Sequence, residues 1–249
     1  MSATLEMART PQAAQGGNDS LLLFILSVLA GLVDVIGFLR LDHLFTAHIT
    51  GNLVVMADQV ANGGPPHVAQ LLSIPVFAAA VVLAFALASW AGSSRGRNSL
   101  LICQALLLLL VFYFVPRTPR PEPRQMLVTG MLAVAAMAFQ NALVRLSLRK
   151  STTTSVMTGN VSNTVIALLS LLWPGLWTRD EAESKLKSTL PLVLGFFAGC
   201  AVGAAAATRL GGWAWGVPAL LSILAIAVGN PRRDPAPAPL IPQRRSPEG

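Results

Sequence analysis

Charge is scarce in this sequence, and its scarcity excludes an ordinary water-soluble domain. Asp, Glu, Lys and Arg make up 12% of the 249 residues, whereas soluble domains average about 25%. Hydrophobic residues make up 53% of the chain, and the mean hydropathy is +0.61. We therefore expect a single compact domain that folds in a lipid bilayer.

Cysteine, histidine and catalytic motifs are sparse as well. Cys103 and Cys200 fall inside hydrophobic segments, so they suggest neither a disulfide framework nor a zinc site. His43, His48 and His67 lack paired ligand spacing, and we predict no metal and no cofactor. His48 could titrate, although an interfacial hydrogen bond is the simpler interpretation. Without a catalytic triad order, a phosphate-binding glycine loop or a nucleotide fingerprint, the sequence does not predict an enzyme.

Long apolar segments are what the sequence does contain. A helix needs about 20 largely apolar residues to cross about 30 Å of hydrocarbon. Six segments meet or approach that length: Leu21 to Leu39, Leu72 to Ala91, Leu100 to Val115, Met126 to Val144, Thr189 to Ala207 and Trp213 to Gly229. The sequence thus predicts an all-α membrane protein with a six-helix transmembrane bundle. Tryptophans near segment ends are typical of an interfacial belt: Trp173, Trp177, Trp213 and Trp215.

The two ends of the chain differ from this membrane domain, which we assign to residues 21–229. Residues 1–20 form a polar N-terminal segment. Residues 230–249 are rich in Pro and Arg and contain little that could be buried, so we predict a disordered tail.

Two shorter apolar stretches decide the topology. Residues 53–61 are too short to span a membrane, and residues 161–173 are borderline. If both are re-entrant, six spans remain, and the 18 basic residues divide thirteen to five between the two faces. If both span, eight spans divide them eleven to seven. Because cytoplasmic loops carry the excess of Lys and Arg, six spans with both termini cytoplasmic are favoured, and eight remain the alternative.

The thirteen residues on the cytoplasmic face would be Arg9, Arg95, Arg97, Arg145, Arg149, Lys150, Arg179, Lys185, Lys187, Arg232, Arg233, Arg244 and Arg245. The five opposite would be Arg40, Arg117, Arg120, Arg124 and Arg209. The net charge of +7 is then an orientation signal rather than an indication of a nucleic-acid partner.

The tripeptide Thr-Gly-Asn occurs twice, within FTAHITGNLVV at 45–55 and TTSVMTGNVSN at 153–163. An apolar segment with a polar residue near its end precedes each copy, and this residue is Asp34 in the first case and Asn141 in the second. A short apolar stretch, a polar loop and two long segments follow each copy. This repeated order predicts two related units with a short re-entrant or half helix after each tripeptide.

The two repeats cover about residues 21–115 and about residues 126–229. With three spans each, the second repeat would enter the membrane from the opposite side, an inverted topology common in transporters. With four spans each, the repeats would be parallel.

The residues that could carry function lie at these breaks: Asp34, Thr50, Gly51, Asn52, Gln140, Asn141, Thr158, Gly159 and Asn160. The threonines could cap helix N-termini, the glycines permit unusual backbone angles, and the asparagines offer donors and acceptors. The alternative is that each tripeptide is only a cap and turn that lets a short helix pack.

Polar residues inside the apolar segments also need partners. A carboxylate such as Asp34 costs about 2.5 to 3.5 kcal/mol on insertion scales, so it is either a proton or cation site or a structural group, for example paired with Arg40. Gln140 and Asn141 could hydrogen-bond between helices. A Gly-xxx-Gly series, Gly195, Gly199 and Gly203, favours close helix packing.

AGLVDVIGF followed by LFTAHITGN, and AFQNALVRL followed by STTTSVMTGN, resemble the YoaK family of bacterial membrane proteins over about residues 20–230. The matching residues are Gly31, Asp34, Gly37, Phe45, Thr50, Gly51 and Asn52, then Gln140, Asn141, Ala142, Thr153, Thr154, Thr158 and Gly159. This resemblance implies a six-helix protein of the bacterial inner membrane and supplies no substrate.

We expect a secondary transporter or channel-like permease for a small polar or ionic solute, with its pathway between the repeats. The alternative is a non-transporting membrane scaffold in which the same residues only cap and pack helices. Apart from the lipid bilayer and such a solute, the sequence predicts no partner, and the oligomeric state stays open.

Overall fold

The computed structural model describes residues 10–65, 67–115, 117, 122–148, 157–173 and 177–229, with the backbone only for residues 10–17, 93 and 94. Within these ranges the regular structure is entirely helical. The elements are α1 (Thr10–Arg40), α2 (Ile49–Ala61), α3 (Val68–Ala91), α4 (Ser93–Phe114), α5 (Pro123–Ser147), α6 (Met157–Leu172), α7 (Arg179–Leu210), the 3-10 helix η1 (Gly211–Trp215) and α8 (Gly216–Gly229).

Five helical segments are long and apolar enough to cross a membrane: Asn18–Arg40, Val68–Ala91, Arg95–Phe114, Pro123–Ser147 and Arg179–Gly229. The last segment contains two of the predicted spans, α7 and α8. They count as one segment because the short helix η1, where the chain reverses, joins them with no non-helical residue between them. Large apolar side chains such as Val82, Leu83 and Phe85 are exposed on the outer surface, as lipid contact requires. The prediction of an all-helical membrane protein is confirmed.

The predicted ends of the domain are only partly covered. Helix α1 begins at Thr10, inside the segment assigned to a polar N-terminus. Residues 1–9 and the predicted tail at 230–249 lie outside the described residues.

Helices α1 and α7 are in backbone contact and run in the same direction. Gly195 lies beside Phe24, and Gly203 lies beside Leu32, where an added Cβ would be 2.9 Å from the Leu32 carbonyl oxygen. Between them, a Cβ on Gly199 would overlap the backbone of α1. The glycines let the two backbones touch, which confirms the close packing predicted from the Gly-xxx-Gly series.

Helix α4 runs parallel to α1, and α8 runs antiparallel to both. Arg97 at the start of α4 pairs with Asp19 of α1 at 2.7 Å, which defines one end of the bundle, called here the Arg97 end. Gly229, at the end of α8, contacts both Leu22 and Leu101 there. At the other end, called the Arg40 end, Arg40 lies against Gly211.

Helices α3 and α5 return from the Arg40 end to the Arg97 end. Helix α3 begins near Asp42, whose carbonyl oxygen accepts a hydrogen bond from Gln70 at 2.7 Å. Helix α5 begins beside the end of α4, where Gln125 donates to the Phe114 carbonyl oxygen at 2.7 Å. Hence α1, α4 and α7 run one way, and α3, α5 and α8 run the other.

Helix α2 begins inside the bundle and does not cross it. After α1 ends, Asp42 and His43 adopt φ angles of +56° and +60° and reverse the chain. Residues Leu44–His48, called here the returning segment, then run back beside α1 as far as Asp34. Asp34 lies six residues, or about 9 Å of helix rise, before Arg40. From this depth the 13 residues of α2 lead back to the Arg40 end, where Gln59 Oε1 accepts from the His67 N–H at 3.3 Å.

Helix α6 has a similar relation to α7, at the Arg97 end. The Thr164 hydroxyl oxygen on α6 lies 2.8 Å from the Thr189 hydroxyl oxygen on α7. If the helices were parallel, Leu172 and Thr178 would lie about 28 Å apart, but six residues span at most about 21 Å. Helix α6 therefore runs antiparallel to α7, with its start towards the middle of α7.

Candidate functional site

The carboxylate of Asp34 is the centre of the first site, and it is buried with 3% exposure. Its Oδ1 accepts hydrogen bonds from the Thr46 N–H at 2.8 Å, the Ala47 N–H at 2.6 Å and the Thr46 hydroxyl at 3.2 Å. Its Oδ2 contacts Nδ1 of His48. Because buried charges need such donors, these contacts explain how the bundle accommodates a carboxylate. Arg40 is not the partner of Asp34, so the predicted pairing was wrong.

Asn52 binds Phe45, the second residue of the returning segment, from the other side. Its Oδ1 accepts from the Phe45 N–H at 2.8 Å, while its Nδ2 donates to the Phe45 carbonyl oxygen at 2.8 Å and to the Ser73 hydroxyl on α3 at 2.9 Å. Asn52 is fully buried. These bonds occupy both amide hydrogens and replace the helical or sheet partners that Phe45 lacks.

Together Asp34 and Asn52 bind residues 45–48 one after another. Asn52 binds Phe45, and Asp34 binds Thr46, Ala47 and His48. The carboxylate thus lies next to the N-terminus of α2, where the helix dipole favours negative charge. Both predicted residues therefore hold the same segment of backbone in place.

His48 is the part of this site that reaches the surface. Its side chain is 33% exposed, and its ring packs edge-on against Phe196 of α7 at 5.4 Å between centroids. The hydrogen bond to the Asp34 carboxylate raises the pKa of the His48 imidazole above its ordinary value, and burial acts in the opposite direction. His48 belongs to the connection between α1 and α2, outside the five long apolar segments.

A second polar cluster closes the α1–α3 connection at the Arg40 end. His67 pairs with the carboxylate of Asp42, and Gln70 donates to the carbonyl oxygen of the same residue. Ser73 donates to the Gln70 carbonyl oxygen at 2.6 Å, which links this cluster to Asn52. The cluster fixes where α3 begins relative to the turn after α1.

The second repeat is organised differently. Asn160 is buried, and its carbonyl oxygen accepts from the Thr164 hydroxyl, which links α6 to α7 through Thr189. Gln140 is buried among α1, α4 and α5, where it donates to the Leu26 carbonyl oxygen at 2.8 Å and accepts from Gln104 at 2.7 Å. This confirms its predicted interhelical role.

Asn141 does not occupy a place like that of Asp34, because it is half-buried and binds Arg145, one turn further along α5, at 2.8 Å. The segment that would correspond to Leu44–His48 in the second repeat lies outside the described residues.

The remaining predicted residues lie at the beginnings of the short helices. Thr50 is exposed and lies inside α2, whose N-cap is His48, so the predicted capping by Thr50 was wrong. Gly51 lies against the Phe45 ring, and a Cβ there would be 2.9 Å from it. Thr158 is exposed and lies inside α6, after the helical residue Met157, so its predicted capping role was wrong as well; Gly159 is half-buried.

One belt assignment also changes: Trp173 and Trp213 are largely exposed, but Trp215 is fully buried in η1. Three further residues in these networks were not predicted from the sequence, although each is a polar residue within or beside an apolar run: Ser73, Gln104 and Thr189.

The fold and this site define a polytopic helical membrane protein with a buried carboxylate at the head of a short helix. Residues 22–228 match the family described as protein of unknown function (DUF1275), and the chain belongs to that family. It is also similar to the UPF0700 transmembrane protein YoaK of Bacillus subtilis (strain 168), with 57% identity over 35 residues. This match covers 14% of the chain and spans only 16% of that relative. The predicted resemblance is confirmed, and no solved structure matches the chain.

Proposed function

We propose that this protein is a secondary transporter of the bacterial inner membrane for a small polar or ionic solute, with Asp34 and His48 at its ion-binding site. The observation that carries the proposal is the contact between the buried Asp34 carboxylate and the partly exposed His48 imidazole, where the returning segment meets α2. Ionisable residues inside membrane proteins are costly, and they commonly mark ion or substrate pathways.

The helix directions support six crossings, with α7 and α8 crossing separately. Each long helix reverses the direction of the preceding one, while α2 and α6 return to the end from which they enter. The first repeat contains α1 to α4 and the second α5 to α8. Helix α1 packs on α7, and α5 packs on α3, so the first helix of each repeat contacts the third helix of the other. Such an exchange is what two inverted repeats related by a two-fold axis require.

The distribution of charge supports the Arg97 end as the cytoplasmic side. Among the described residues, the basic side chains at that end are Arg95, Arg97, Arg145, Arg179, Lys185 and Lys187, and those at the Arg40 end are Arg40, Arg117, Arg124 and Arg209. Gly229 lies beside Leu22 at the Arg97 end, which agrees with both termini on this side. Because cytoplasmic loops carry an excess of Lys and Arg, the more basic end is assigned to the cytoplasm.

Solute uptake into liposomes tests the proposal. Purified full-length protein would be reconstituted and screened with amino acids, organic acids, sugars and inorganic ions, with an imposed pH or sodium gradient. We expect uptake above empty liposomes that falls at least about tenfold in Asp34→Asn, as loss of an essential ion site requires. Asn62→Ala, at an exposed position on the end of α2, is the matched control.

A membrane scaffold is the second candidate, and the geometry of Asn52 favours it. All three hydrogen bonds of the Asn52 amide are made within the fold, and the residue is fully buried. Asn52 is therefore a structural residue in this conformation, and changing it would test folding rather than transport. A complete screen without gradient-dependent uptake, using protein shown to be folded, would favour the scaffold.

A further inference from the structure

We propose that the ion used by this site is a proton, taken up at Nε2 of His48 while its Nδ1 remains bound to the Asp34 carboxylate. The inference rests on the proposed function and specifies its coupling ion. It depends on which atoms around the carboxylate are donors and which positions are left open.

The carboxylate is poorly suited to bind a metal cation. Three donors converge on Oδ1, namely the backbone N–H groups of Thr46 and Ala47 and the Thr46 hydroxyl. The imidazole occupies Oδ2. Sodium and other hard cations need several oxygen ligands with free lone pairs. A cation placed here would instead meet N–H groups, whose positive ends repel it.

The imidazole has one nitrogen left for exchange. Nδ1 faces a carboxylate oxygen, so the neutral ring carries its hydrogen on Nδ1 and has a lone pair on Nε2. Among the described residues Nε2 has no hydrogen-bond partner, and the side chain is one-third exposed. A proton can therefore bind at Nε2 without breaking any of the bonds to Asp34.

Proton binding at Nε2 changes the charge of the site. With an ionised Asp34 and a neutral His48 the pair carries one negative charge, and with an imidazolium it carries none. A neutral pair is less costly to enclose within hydrocarbon than a net charge. The site is neutral only when the proton is bound. Proton uptake can therefore be linked to a movement of α2 relative to α7.

Few other ionisable groups surround the pair. On α7 the thiol of Cys200 interacts electrostatically with Asp34. On α1 the next is Arg40, which lies against Gly211, and on α2 the next is Asp58, ten residues beyond His48. Among the described residues neither Asp34 nor His48 is paired with a Lys or Arg, so the charge of the pair depends on its own protonation.

Histidine NMR on the full-length protein in lipid nanodiscs tests the inference directly. The three histidines would be isotope-labelled and assigned with His43→Gln, His48→Gln and His67→Gln variants. The pH would be titrated in choline chloride and again in sodium chloride at equal ionic strength. We expect His48 to bind its proton about tenfold more weakly in Asp34→Asn, which corresponds to about one pKa unit, with the two salts giving the same titration.

Two results would overturn the proton inference. One is a His48 titration that Asp34→Asn leaves unchanged although the variant is folded, as judged by unchanged His43 and His67 signals. The other is a sodium-dependent shift of the His48 signals in the native protein that Asp34→Asn removes, because that result identifies a metal-cation site.

The uptake screen separates this inference from the proposed function. Uptake that depends on Asp34 and follows a sodium gradient, but not a pH gradient, would leave transport standing and overturn proton coupling. If His48 titrates as expected, with its dependence on Asp34, but no solute is taken up, the transport proposal is overturned and the proton site remains.

Discussion

The side-chain amide of Asn52 forms two hydrogen bonds with the backbone of Phe45, one to its N–H and one to its carbonyl oxygen, each 2.8 Å long. This pairing compensates for the absence of regular structure between α1 and α2. It holds the extended chain against α3, because the same amide also reaches Ser73. The short helix can begin inside the bundle only because these backbone groups are satisfied.

Replacing Asn52 by Ala should therefore destabilise the protein strongly. Two backbone groups lose their partners, and each unsatisfied buried group costs about 1 to 3 kcal/mol. We expect a loss of about 2 to 6 kcal/mol, measured by thermal unfolding in detergent with a thiol-reactive dye that reports Cys103 and Cys200. Asn62→Ala serves as control, since Asn62 is exposed and bonds only to Asp58. Equal unfolding temperatures for the two variants would contradict the assigned role of Asn52.

Adding one methyl group at Gly199 should disturb the contact between α1 and α7. The new Cβ would overlap the Val28 carbonyl oxygen, so the two helices must separate. Overpacking of this kind costs about 1 to 3 kcal/mol or more. Gly199→Ala should lower the unfolding temperature in the same assay, whereas Ala201→Leu, on the exposed side of α7, should not. A neutral Gly199→Ala would mean that the helices are less closely packed than described.

Gln104 and Gln140 should show strongly non-additive substitutions. Gln140→Leu leaves Gln104 without its acceptor in the core, at a cost of about 1 to 3 kcal/mol. Because replacing both polar partners removes the unsatisfied group, Gln104→Leu combined with Gln140→Leu should recover part of that loss. A double-mutant cycle of unfolding free energies measures the coupling. Additive losses would rule out a direct interaction.

Cysteine labelling should distinguish a returning α2 from a spanning one. In a background lacking native cysteines, His43→Cys and Asn62→Cys flank the returning segment and α2, and both positions are exposed. We expect a membrane-impermeant maleimide to label both from the periplasmic side of intact cells. Ser184→Cys, on the exposed start of α7, should react only after permeabilisation. Labelling of positions 43 and 62 from opposite sides would require α2 to cross the membrane.

The stability of the protein should depend on pH through His48. The pKa of His48 is raised in the folded state, so its stabilising effect is complete below the unfolded value of about 6.5. That contribution is lost as the pH rises through the raised folded pKa. The unfolding temperature of the native protein relative to His48→Gln should thus be higher near pH 6 than near pH 9. His43→Gln, at an exposed position, is the control, and parallel pH curves for native protein and His48→Gln would contradict the assignment.

Most of the helical architecture could be predicted from the sequence. The length and hydrophobicity of a span are local properties, so the apolar runs identified the long helices, and the glycines at 195, 199 and 203 identified the contact face of α7. The paired tripeptides located both short helices, α2 and α6.

Only the tertiary structure decided which side chains meet. Asp34 and His48 are 14 residues apart, and they come into contact because positive φ angles at Asp42 and His43 turn the chain back beside α1. Helical register then places Asn52 inwards and Thr50 outwards, although both belong to the same tripeptide. Sequence spacing determined where the helix breaks occur, but the direction of the chain after the turn determined the partner of the buried carboxylate, because that partner depends on contacts across the fold.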